Sequence, residues 1–432
     1  MYPNLYYALK ELLGVNLPWL KLFNTFGFCV ALAFLAAAWI VTIELKRKEA
    51  QGLLQYKEEE IIVGDKASIS DLIINFLIGF LFGFKILGIL FVPNALNDTQ
   101  SYIFSSQGNV LMGILLGGLF VFLKWWDKNK LKLDKPEKRM VKIWPHDRVS
   151  DFTVLCAIFG FAGAKLFNAF ETWDDFIKDP VGSLISFSGL TFYGGLIVAA
   201  IAMIWFARKH KINLLHLTDS FAPALMLAYG LGRIGCQLSG DGDWGVLNSA
   251  FVSTMDGKVI PATAQMFKDV FDANHFFYGH RYGPIENIQS IHFPAIAHLP
   301  NWLFAYNYPH NVVSEGLPIS GCVDGQFCNQ LPIPVFPTPL YETIMSLSLF
   351  GLLFSLRKRI KVPGRIFAIY LMVNGMERFL IEKIRVNSTY TIWGLHPTQA
   401  EIISLLLIIT GGVMWWLLGR KKLDTQIASE TA

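Results

Sequence analysis

Four cations fall inside apolar stretches of this chain: Lys85, Lys165, Arg233 and Arg378. Each is a functional candidate, because an ionisable side chain in hydrocarbon is expensive to keep. Arg233 lies in Gly230-Leu-Gly232-Arg233-Ile-Gly235, where missing side chains let another helix or a lipid approach the backbone. Arg378 opens an i, i+4, i+7 series with Glu382 and Arg385, so a carboxylate can orient one or both guanidinium groups. A guanidinium grips phosphate through two parallel hydrogen bonds and keeps its charge in a low-dielectric site. The chemistry these residues suit is capture of an anionic head group.

Their spacing sets a depth. Asp71 to Lys85, Asp151 to Lys165 and Asp219 to Arg233 are each fourteen positions apart, and Arg378 lies fourteen after Gly364. Fourteen residues of helix rise about 21 Å, two thirds of a hydrocarbon core about 30 Å thick. All four heads are expected at one level in the outer half of the bilayer. The rival reading is that the side chains snorkel to the head-group region and only anchor helix ends. For the two lysines both readings stand open; for the arginines the cost of burial favours a site.

The elements that must carry these residues follow from composition. Of 432 residues, 53% are hydrophobic and 16% charged, and the mean hydropathy is +0.42; soluble domains average about 25% charged. This argues against a soluble enzyme, and a net charge of +4 gives no pointer to nucleic acid. Nine apolar runs of spanning length are expected, near 22–43, 73–92, 109–123, 152–171, 187–207, 217–235, 338–356, 364–382 and 396–418. The fold class is therefore an all-α integral membrane protein, a polytopic bundle of about nine transmembrane helices. With the N-terminus outside and the C-terminus inside, the cytoplasmic loops hold 25 of the 37 Lys and Arg. The outer segment 236–337 holds only Lys258, Lys268 and Arg281. Three parts result: 1–235 with an apparent insertion at 45–150, an extracytoplasmic head at 236–337, and 338–432 with a cytoplasmic tail.

Cys322 and Cys328 lie in the head, in an oxidising compartment, and are expected to pair. Cys29, Cys156 and Cys236 read as small apolar residues. His275, His280, His292, His298 and His310 share the head but form no tight ligand pair, so no metal and no cofactor is expected.

The motifs resemble those of the prolipoprotein diacylglyceryl transferase family. Gly232-Arg233-Ile-Gly235-Cys236-Gln237-Leu-Ser239-Gly240-Asp241-Gly242-Asp243-Trp244-Gly245 resembles its signature Gly-Arg-x-Gly-Asn-Phe-x-Asn-Gly-Glu-x-x-Gly. Cys236 stands for the Asn, Asp241 takes the acidic position, and one residue is added before Gly245. Phe192-Tyr193-Gly194-Gly195 resembles Phe-His-Gly-Gly, and Phe336-Pro-Thr-Pro339-Leu-Tyr341-Glu342 resembles His-Pro-Ser-Gln-Leu-Tyr-Glu. Arg378-Phe379 through Glu382 to Arg385 keeps Arg-Phe-x-x-Glu-x-x-Arg in full. Asp219-Ser-Phe-Ala-Pro223 resembles the start of the signature helix, and Phe26-Gly27 a Tyr-Gly pair.

The resemblance implies transfer of diacylglyceryl from phosphatidylglycerol to the lipobox cysteine thiol of a prolipoprotein signal peptide. It implies a bacterial inner membrane with the site toward the outer leaflet, where the protein meets membrane lipid. Arg233 and Arg378 are then expected to stabilise the leaving phosphate, with Glu382 and Arg385 in support. The thiol proton needs an acceptor: Tyr193 at the family's His, His396 ahead of the last span, Asp241 or Glu342. Gly194, Gly195, Tyr341, Glu342, Gly245 and Lys165 are candidates for substrate binding. A transporter or flippase for an anionic lipid or solute is the alternative.

Overall fold

The computed structural model describes residues 1–430 except 94, 97, 98, 131, 134, 135, 186–188, 190, 286, 287, 323–326, 387–389 and 391–395; for 100, 101, 104, 185, 192 and 421–430 it describes the backbone. A helix overlaps each of the nine expected spans, the second of these helices only 13 residues long. These are α1 (Thr25–Ala50), α2 (Ile69–Leu81), α3 (Val110–Lys130), α4 (Val149–Glu171), α5 (Phe192–Lys209), α6 (Leu214–Ser239), α7 (Thr338–Leu356), α8 (Arg365–Glu382) and α9 (Gln399–Glu430). Residues 187, 188 and 190 of the fifth expected span lie outside the described residues.

Among the described residues, six helical runs are long and apolar enough to cross a membrane: Thr25–Ala50, Ile69–Phe91, Val110–Lys130, Pro145–Glu171, Thr338–Leu356 and Gln399–Arg420. The protein is a helix-rich, multi-pass membrane protein. Helices α5, α6 and α8 are the ones outside that set, and α6 and α8 carry the arginines. Several helices outrun their apolar stretch; α1 continues through Lys46, Arg47 and Lys48 to Ala50, because lysine, arginine and glutamate are good helix formers.

The chain forms two compact units, one of Met1–Asn16, Phe23–Glu44 and Leu215–Ala432, the other of Leu17–Leu22 and Leu45–Leu214. In the second unit α2 and α3 pack through glycines. A Cβ on Gly79 would sit 2.7 Å from Leu116 O, and one on Gly113 2.8 Å from the Phe80 ring. Such stripes let helices approach where lipid supplies no hydrophobic drive to associate. Beyond Leu81 the helix loosens into wider and tighter turns over Phe82–Phe91. Lys85 sits there and donates to the carbonyls of Tyr102, Ser105 and Gln107. Its ammonium is thus satisfied by backbone. An antiparallel pair of strands, Lys57–Val63 with Glu137–Ile143, joins the two ends of this segment.

In the first unit α6, α7 and α8 meet around Ala222, Met226, Leu353 and Ile366. Gly375 and Gly411 bring α8 against α9: a Cβ on either would lie 2.7 Å from a carbonyl of the other helix. Among its described residues the segment 236–337 has helices Ala264–Ala273 and His275–Tyr282 and three short strand pairs. Its core is Trp244, Leu247, Tyr278, Tyr308, Leu331, Ile333 and Val335. The expected pairing of Cys322 with Cys328 is present, a disulfide with Cα atoms 5.8 Å apart.

Candidate active site

Helices α6 and α8 are fastened at their starts. The buried Asp219 carboxylate of α6 accepts from Gly364 N at 2.7 Å and Phe367 N at 2.9 Å, at the beginning of α8. An anion at a helix N-terminus satisfies orphan N–H groups and the positive end of the dipole. Fourteen residues further along each helix stand Arg233 and Arg378. Both reach one carboxylate, Glu342 of α7, which is fully buried. The equal spacing in the sequence is therefore a shared height in the fold.

Glu342 organises three arginines. Arg233 Nε pairs with its Oε2, while Arg378 Nη1 and Arg385 Nη1 lie 3.4 Å and 3.3 Å from its Oε1. Arg378 Nη2 also pairs with Glu382 at 3.1 Å, one turn on. A second carboxylate closes the cluster: Asp243 receives Arg233 Nη1 on one oxygen and Arg385 Nη2 on the other. Three guanidinium groups thus face Glu342, Asp243 and Glu382, three cations with three anions. Glu377, beside Arg378 on α8, is also buried, and neither of its oxygens has a hydrogen-bond partner among the described residues. A guanidinium presents five N–H donors in a planar fork, so each arginine can hold a carboxylate and still face an incoming anion.

Arg385 arrives by a different route from the one its spacing suggests. Helix α8 ends at Glu382, and Arg385 forms an isolated bridge with Gly245. Val246 N donates to Ile384 O at 2.9 Å and Gly245 N to Phe336 O at 2.9 Å. A Cβ on Gly245 would lie 2.6 Å from Ile384 O, so only glycine lets these strands meet. Gly245 is a backbone junction that delivers Arg385.

Asp241, the residue matched to the signature's acid, lies next to the cluster, and the bridging carboxylate is Asp243. Counting forward from Gly240 puts the signature's acid at 241; the carboxylate that reaches the arginines stands two residues later. Burial works to raise the Asp243 carboxyl, but Arg233 and Arg385 outweigh it and hold the group well below the usual carboxylate range. Asp241 is raised by burial, with Cys236 beside it pulling the other way. Arg385 loses by burial and gains more from Asp243 and Glu342, so its charge is secured.

The other candidates have their own places. Tyr341 donates its hydroxyl to Leu303 O and ties α7 to the head. Lys165, Tyr193, Gly194 and Gly195 belong to the second unit. There Lys165 is buried and donates to Ser183 O at 3.2 Å. Gly194 and Gly195 are packing positions: a Cβ on Gly195 would sit 2.8 Å from Gly160 O, and one on Gly194 2.6 Å from Gly163 O, both on α4. His396 is exposed just before α9; Gly394 and Leu395 of its motif lie outside the described residues. Among the described residues no group of His, Cys, Asp and Glu could hold a metal ion.

A profile of the prolipoprotein diacylglyceryl transferase family matches residues 110–417. The chain belongs to this family. As a prolipoprotein diacylglyceryl transferase family member it is a transferase. It is similar to the phosphatidylglycerol–prolipoprotein diacylglyceryl transferases of Staphylococcus aureus strains MSSA476 and MW2. Each is 24% identical over 275 residues, 63% of this chain and 75% of the relative. The stretch matched by the family profile includes α3 to α8 and, just beyond α8, Arg385, so it holds every arginine of the cluster.

Proposed function

We propose that this protein transfers the diacylglyceryl group of phosphatidylglycerol to the lipobox cysteine thiol of prolipoproteins in the bacterial inner membrane. The observation that carries the proposal is the convergence of Arg233, Arg378 and Arg385 on Glu342, with Asp243 tying two of them together. In this reading the chain crosses the membrane nine times with its N-terminus outside, and the cluster faces the outer leaflet.

In the reaction the thiol sulfur attacks the glycerol carbon that bears the phosphate ester. A sulfur–carbon bond forms, the carbon–oxygen bond to phosphate breaks, and glycerol-1-phosphate leaves. Negative charge grows on the departing phosphate, where fixed guanidinium groups stabilise it most. Arg233 and Arg378 take that role; Glu342, Glu382 and Asp243 hold them in place, and Arg385 completes the set. The thiol proton passes to Asp241. It lies in the loop that carries Asp243, and burial makes its carboxylate a stronger base than an ordinary aspartate. The head guides the signal peptide to this loop.

The test incubates the protein with phosphatidylglycerol vesicles and a precursor peptide and follows the peptide by mass spectrometry. A gain of one diacylglyceryl unit, lost in Arg378→Ala, supports the reading; unchanged peptide with relocated lipid supports transport instead. Asp241→Asn lowers the rate and removes an acidic limb from its pH profile. A limb that survives in Asp241→Asn and disappears in Tyr193→Phe or His396→Ala moves the acceptor there.

A further inference from the structure

Asp243 joins Arg233 to Arg385 only while the Gly240–Gly245 loop keeps its shape. Two of its residues lie in the left-handed region, Gly240 at φ 65° and Gly242 at φ 97°. A loop hinged on two such glycines has little stiffness of its own. The head supplies it. Arg281, in the last turn of His275–Tyr282, donates Nη2–H to Gly242 O at 3.1 Å and pairs Nε with Glu315 at 2.8 Å. Its guanidinium also lies 5.9 Å from the Trp244 ring centre. Trp244 is itself held, by an indole N–H to Tyr282 Oη at 2.9 Å and by the Tyr308 ring at 4.9 Å. One arginine therefore touches the residue on each side of Asp243.

We infer that Arg281 is a positioning residue for transfer: by fixing Gly242 and Trp244 it holds Asp243 where it bridges Arg233 and Arg385. The inference rests on the reading of that cluster as the transfer site. The lengthened signature loop and the arginine that grips it then act as one device, and the head takes part in the reaction by stiffening the site. A lysine could not substitute, since a single ammonium lacks the planar fork that spans Gly242 O and Glu315 together.

A double-mutant cycle on the full-length protein in phosphatidylglycerol vesicles, with a lipobox peptide, tests it. Arg281→Ala is expected to lower kcat about tenfold, short of the roughly hundredfold cost of a 1 Å misplacement, and to leave KM for the peptide within about twofold. In an Asp243→Asn background the same change is expected to cost less than about twofold, because the group through which Arg281 acts is gone. Effects that multiply in full, or a rise in peptide KM at unchanged kcat, overturn the inference and assign Arg281 to head folding or peptide contact. Should Arg281→Ala not fold, Arg281→Lys is carried through the same cycle with the same criteria. Wild-type protein without transfer, or Asp243→Asn at the wild-type rate, removes the site reading itself and the inference with it.

Discussion

Replacing Glu342 with glutamine changes one oxygen to an amide and leaves the side chain's volume almost unaltered. It removes the charge on which Arg233, Arg378 and Arg385 converge in a position with no exposed surface. The cluster then carries three cations against Asp243 and Glu382, one positive charge in excess. Removing one partner of a buried ion pair costs roughly 3–5 kcal/mol. The three contacts share one carboxylate and do not add, so the lower end, about 3 kcal/mol, is the working figure. At about 2 °C per kcal/mol for a large domain, the thermal midpoint of detergent-solubilised protein should fall by about 6 °C. Transfer should fall on the order of a hundredfold, the typical cost of misaligning one group that stabilises developing charge. Phosphatidylglycerol should protect Glu342→Gln against heat more than it protects wild type, since the bound phosphate supplies the missing negative charge, whereas an uncharged lipid should protect both equally. A Glu342→Gln protein with wild-type melting and wild-type transfer would refute the claim that this carboxylate organises the arginines.

Arg378→Lys keeps the charge but loses the fork that spans Glu342 and Glu382, so transfer should drop more than about tenfold with little change in melting, read by mass spectrometry and a thermal scan. Gly195→Ala drives a methyl to 2.8 Å from Gly160 O and should destabilise the second unit by about 1–3 kcal/mol, measured by thermal unfolding, while the folded fraction keeps its rate. Glu59 is held down to about 2 by its hydrogen bond from Lys57, with Arg148 and His210 adding to the effect. A depressed carboxyl stabilises the fold above its unfolded pKa, so this contribution is complete above about pH 4.5 and is lost as pH falls toward 2; Glu59→Gln should flatten that part of the stability curve.

The arginines were legible because charge in an apolar run is rare enough to demand a reason. The fourteen-residue interval was legible too, and it has a concrete cause in the Asp219 cap on α8. Asp243 was not. Nothing local separates it from Asp241; only the ladder that brings Gly245 to Arg385 decides which carboxylate faces the cluster. Arg385 itself reads as the next turn of α8, yet the helix stops three residues before it. The Gly194-Gly195 pair reads as a candidate for substrate binding, and its place in α4–α5 packing was not legible, because it depends on a partner helix that the pair's own neighbourhood does not reveal. The head's strands are two or three residues long, too short for any alternation to register.

Two polar fastenings explain why the arginines meet at all. Helices in lipid have little hydrophobic reason to choose one register over another, so close glycine contacts and buried charge must choose it. Between α6 and α8 one fastening is Asp219 on the first N–H groups of α8, and the other is Glu342 drawing together Arg233 and Arg378. They stand fourteen residues apart on both helices, about 21 Å. A slip of one turn, about 5.4 Å, would strip the cap and pull one arginine away from Glu342 at the same moment. The cap is thus part of the site although it lies at the far end of the helices. By this argument Asp219→Asn should impair transfer through the register of α8, and lengthening α6 and α8 by the same single turn between the fastenings should harm it less than lengthening either alone.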